Sequence, residues 1–130
     1  MRGSKQDLPV MVDEAGIRMQ QGEWGTMLAH MEIAPAGLDN APLLKGLPND
    51  QCQCPHWGYM IKGRMRVTYT DSDEVITAGD AYYIAPGHSV AIEEDAELVE
   101  FSPKDEVQKS MEVIMRNWEA QKQAAGSSDQ

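Results

Sequence analysis

What most limits how this chain can fold is its punctuation. Eleven glycines and seven prolines are scattered through 130 residues, and they cut the apolar positions into runs of only a few residues. Between these breaks the chain alternates with a period of two, as strands with one buried face do. Met27, Ala29, Met31 and Ile33 alternate with Leu28, His30 and Glu32, and the first set is expected to face the core. Met65, Val67 and Tyr69 alternate in the same way with Arg64, Arg66 and Thr68. Gly63 between the stretches 57–62 and 64–70 reads as a hairpin turn. Residues 10–21 suit two short edge strands around Gly16, 74–77 and 81–85 two more, and 89–92 and 97–101 the last pair, split by Glu93-Glu94-Asp95.

The period changes after residue 101. Ser102-Pro103-Lys104-Asp105 has the form of a helix start, with serine as cap and proline in the first position. Val107, Met111, Ile114, Met115 and Trp118 then share one helical stripe, suited to packing on the sheet or on a partner. About eight closely spaced strands and one helix define an all-β chain of jelly-roll type, and its length allows a single core.

A net charge of −10 opposes binding to nucleic acid or to an anionic membrane surface. No apolar run is long enough to span a bilayer, and no apolar segment follows the amino terminus, so a cytoplasmic location is expected. Both cysteines, Cys52 and Cys54, are separated by one residue, a spacing poorly matched to disulfide geometry. They read either as metal thiolates or as two buried thiols. His56 follows two residues later, and His88 closes the second block Gly79-Asp80…Pro86-Gly87-His88. Cys52, Cys54, His56 and His88 form the candidate metal set. Thiolate with imidazole suits zinc. Four protein ligands would close the site, whereas three would leave one position for water or substrate, with Asp50 or Glu100 as an extra ligand or supporting base. His30 reads as a surface histidine. The loop 38–51 reads either as a cover over a site or as an ordinary excursion.

The blocks Tyr59-Met-Ile-Lys-Gly63 and Gly79-Asp80…Pro86-Gly87 resemble the two motifs of the cupin superfamily, over residues 26–101. The resemblance implies a cupin-type jelly-roll β-barrel over 10–102 with a C-terminal α-helix over 103–123, between disordered ends at 1–9 and 124–130. It implies a divalent metal, a small polar molecule as ligand or substrate, and a homodimer. It also implies non-redox chemistry of isomerase or lyase type, a non-catalytic binding or sensor role, or a metal-free barrel that binds an apolar ligand. The ligand pattern departs from the family's. His56 stands at the glutamate position, Cys52 and Asp50 at the first two histidine positions, and Val90 at the third, two residues after His88.

Overall fold

The computed structural model describes residues 1–128, with the side chains of 125–128 left aside. Seven strands, β1 (Val10–Glu14), β2 (Ile17–Trp24), β3 (Met27–Ala34), β4 (His56–Thr68), β5 (Asp73–Thr77), β6 (Ala81–Ile84) and β7 (Ser89–Pro103), precede one helix, α1 (Lys104–Ser128). The strands are antiparallel in the order β1-β2-β3-β7-β4-β5, and β6 pairs with β4 beside β5. The path is open at β1 and β5, so the sheet is not a closed barrel, but a jelly roll with a C-terminal helix is the architecture expected from sequence.

Two strands run through positions that read as turns. β4 passes straight through Gly63, and β7 passes through Glu93-Glu94-Asp95. They pair with each other along most of their length, with register shifts between Met60 and Met65. Gly63 has φ +86°, and a Cβ there would lie 2.3 Å from the Asp95 carbonyl oxygen. The glycine therefore marks a bulge where two backbones touch, not a reversal of the chain. On either side of it Met60 and Met65 drop into the main core with Val67, Ile76, Ile84 and Leu98.

The amino-terminal segment is tied to the sheet. Gln20 is buried, and its side-chain amide donates to the carbonyls of Lys5 and Leu8, which tacks the amino-terminal segment onto β2. Such a backbone-satisfying bond is available to any chain that folds back over a buried amide. The helix runs past residue 123 to Ser128, and the last two residues of the expected tail lie outside the described residues. Ser102 caps nothing. It belongs to β7, is buried, and pairs with Leu28, while the Lys104 N–H bonds to Thr26 O as α1 begins.

Of the β3 face expected inward only Ala29 is buried, and the cavity is lined from the other face. Leu28 and Ala34 are buried on the concave side with His30 and Glu32, whereas Ile33 is 39% exposed on the other. α1 lies across that concave side. Asn117 donates to the carbonyls of Leu43 and Lys45, and Lys122 pairs with Glu14. Between helix and sheet lies a cavity of about 420 Å³. Among the described residues no helix is long and apolar enough to cross a membrane.

Candidate metal centre

The chain leaves β3 at Pro35, bonds briefly to β7 where Gly37, Leu38 and Asn40 meet Val90 and Ile92, and enters its next strand at His56. Two short 3-10 turns, Ala41–Leu44 and Pro48–Asp50, occupy this excursion. Its end is fixed by a small ladder. Cys52 N donates to His88 O at 2.8 Å, and Cys52 O accepts from the N–H groups of Gly87 and His88. Residues 36 apart in sequence are thus held backbone to backbone. Pro55 follows, and the strand proper begins with His56 beside Ile84 of β6.

This arrangement brings Cys52, His56 and His88 together, with one ligand atom from each within 4.8 Å of the other two. Cys52 and His88 are buried, and His56 is nearly so. The Nδ1 of His88 lies 2.7 Å from Ala85 O and can only donate to it, so Nε2 is the nitrogen left to face Cys52, donating to its sulfur when protonated and able to bind an ion when not. The Nδ1 of His56 lies 2.6 Å from Ser102 Oγ and 3.3 Å from Glu100 Oε2, which again leaves Nε2 facing inward. Metal-bound histidines are oriented in this way, one nitrogen tethered and the other offered. A tetrahedral ion with bonds of about 2.0–2.3 Å separates its donors by about 3.5 Å. Small side-chain adjustments bring the three atoms to that spacing. The donor set therefore fits a divalent ion.

The electrostatics agree with the geometry. Burial pushes the Cys52 thiol up, but hydrogen bonds from His56 and His88 and the charge of His88 outweigh it, and Cys52 falls to about 5 from 9.0. Cys54 goes the other way: burial first, then the charges of Cys52 and Glu100, push it up to about 12. Both cysteines are free and buried. The sulfur of Cys54 is outside the group of three; it lies 3.5 Å from Pro55 O, in the apolar cluster with Leu44. The backbone of Cys54 is closer to the matter, since it hydrogen-bonds the Cys52 sulfur. Asp50 is exposed, and its carboxylate accepts from Gly46 N.

Sequence reasoning named Glu100 as a supporting base but missed the rest of the polar wall beside this centre. His30 is not on the surface. Its Nε2 meets Glu32 Oε1 at 2.8 Å, its Nδ1 meets the Gln21 amide at 3.2 Å, and all three line the cavity. Burial lowers the affinity of His30 for a proton, but its bond to Glu32 and the carboxylates of Glu32 and Glu100 raise it above 6.5 overall. Glu100 accepts from Tyr82 Oη at 2.8 Å. Tyr82 lies against Gly58, where a Cβ would come within 2.5 Å of its ring. The one available signal was alternation itself, since His30, Glu32, Glu100 and Ser102 share a face with Leu28 and Leu98 across β3 and β7. The rest of the cavity is largely apolar.

No family model and no curated protein matches the chain in sequence. Solved structures do match it in fold. An RmlC-like cupin from Shewanella frigidimarina superposes with a TM-score of 0.56 at 14% identity, over 78% of this chain and 87% of that one. KdgF from Halomonas sp. gives 0.52 at 19% identity, over 78% and 93%. Oxalate decarboxylase from Bacillus subtilis gives 0.57 at 19% identity, over 78% of this chain but 28% of that larger one.

Proposed function

Starting from the cupin fold of this chain, we propose that it holds one divalent ion, zinc by preference, on Cys52, His56 and His88. The ion serves non-redox chemistry of isomerase or lyase type on a small molecule in the cavity, in a reducing, cytoplasmic setting. The observation that carries this reading is the convergence of one sulfur and two tethered imidazoles, from a loop, a strand start and a turn, at the floor of a cavity. Thiolate and imidazole donors favour zinc over harder cations. Three protein ligands leave a coordination position free, and zinc there supplies a Lewis acid for a substrate oxygen. The chain's own residues do the rest. Glu100, held by Tyr82, orients His56, and the His30–Glu32 pair, with 2.8 Å between Nε2 and Oε1, shares a proton inside the cavity.

A structural or sensor role is favoured instead if Cys54, buried next to the group, swings in as a fourth ligand and closes the site. Elemental analysis of protein purified without chelator or metal-affinity steps separates the two. We expect about one equivalent of zinc in the wild type and in Cys54→Ala, and almost none in Cys52→Ala or His56→Ala. Loss in Cys54→Ala selects the closed site. A wild type that neither carries nor takes up a divalent ion ends both readings.

The same proposal includes a homodimer. Trp57, Tyr59, Ile61 and Tyr83 are 44–50% exposed, and Trp57 packs against Tyr83 at 5.2 Å between ring centroids. Contiguous aromatic surface of this kind marks an interaction face. Sedimentation at micromolar concentration should give a dimer, and Tyr83→Lys should give a monomer; a monomeric wild type refutes the assignment.

A further inference from the structure

The stripe of α1 that faces the sheet is only partly packed. Val107 and Ile114 rest on the buried cluster of Leu44, Cys52 and Cys54. Further along, Met111, Met115 and Trp118 meet the cavity instead of a core, and Met115 is 36% exposed. Opposite them Ile17, Met19 and Leu38 form an apolar floor. A space of about 420 Å³ is in the range of small-molecule sites. Left unfilled, its walls forfeit dispersion contacts, and water gains little from entering an apolar void.

One side of the same cavity is polar. Glu32 and Glu100 line it with His30 and Gln21. Both oxygens of Glu100 are already engaged, by Tyr82 and His56, and one oxygen of Glu32 by His30. A carboxylate or phosphate entering here would meet two carboxylates. A hydroxyl can donate to Glu32 and accept from a neighbouring side chain without introducing like charge.

We propose that the cavity under α1 takes a small molecule with a hydrocarbon body and one uncharged oxygen head group, the body against Met111, Met115 and Trp118 and the head at Glu32. Placement of the head beside Cys52, His56 and His88 rests on the metal centre proposed above, whereas burial of the body under the helix does not. The ligand class thus follows from an apolar roof and floor and from one polar side whose two carboxylates disfavour anions in the metal-free protein.

The nine methionines make the test local. Protein carrying ¹³C-methyl methionine is titrated with 1-alkanols of four to eight carbons and with the fatty acids of equal length, in zinc-loaded and in metal-free form. The methyls of Met19, Met111 and Met115 should shift and those of exposed Met1 and Met11 should not. Affinity should rise about fourfold per added methylene, the usual gain on burying one. In the metal-free form the alkanols should bind at least about tenfold more tightly than the acids, the effect of roughly 1.4 kcal/mol of charge repulsion. The double variant Met111→Gln/Met115→Gln leaves the Leu44 cluster intact and should weaken octanol binding about tenfold or more. Alkanol binding that persists without zinc supports the cavity inference even if the metal centre fails. Zinc binding at the three ligands without alkanol shifts overturns the cavity inference and leaves the metal centre standing. Shifts confined to Met1 or Met11, affinity independent of chain length, or equal binding of the acids by the metal-free form overturns it too.

Discussion

His88→Ala is expected to lose metal binding by a factor of at least about 100 and, separately, to destabilise the metal-free protein by about 2–3 kcal/mol. The first effect follows from removing one of only three donors. The second follows from burial: His88 is 1% exposed, and its ring donates to Ala85 O at 2.7 Å, a carbonyl left without that partner in the variant. The neighbouring cavity softens the packing loss, so the cost stays below that of removing a ring from a solid core. The two effects separate experimentally. At zinc 100-fold above its dissociation constant, wild-type stability should rise by about 2.7 kcal/mol. The variant should unfold at a lower denaturant concentration and show no rise with zinc. A variant still stabilised by zinc to the same extent removes His88 from the site.

Gly63→Ala should cost more than about 3 kcal/mol. Two penalties add at this position. The backbone has φ +86°, in the left-handed region, and the new methyl would lie 2.3 Å from the Asp95 carbonyl oxygen and 2.8 Å from the Ala96 Cα. Neither neighbour is a flexible side-chain end, so the strain cannot be relieved by a rotamer change. The bulge couples β4 to β7, the most extensively paired strands, and Met60 and Met65 flank it in the core. Gly79→Ala is the matching control: its φ is +97° but nothing lies within 4 Å of its added Cβ. It should show the backbone penalty alone, about 1 kcal/mol. Equal losses at the two sites would mean that the contact with Asp95 is not what Gly63 permits.

The sequence carried the fold because punctuation and alternation are local, and both survive in β3, β5, β6 and the helix. What it misjudged was phase and continuity. In β3 the more hydrophobic face, Met27 to Ile33, was assigned inward, yet the inward face carries His30 and Glu32, since a binding cavity places polar groups on the concave side. Alternation gives two faces and does not say which one a cavity has claimed. Gly63 read as a turn because a bulge and a hairpin share the same residue. Ser102 read as a cap because Ser-Pro is a helix opening, but its hydroxyl lies 2.6 Å from His56. Within the site, Cys52, His56 and His88 were legible from residue type. The separation of Cys54 from them was not, because it depends on how the loop folds back along His88.

That return of the loop ties distant parts of the molecule to one another. Cys52 and His88 share a backbone ladder; the excursion ending at Cys52 presents Leu43 and Lys45, whose carbonyls Asn117 grips. The roof over the cavity is therefore fastened to the same stretch of chain that supplies the sulfur. A substitution that loosens the Cys52–His88 ladder therefore acts on the same excursion that α1 holds through Asn117.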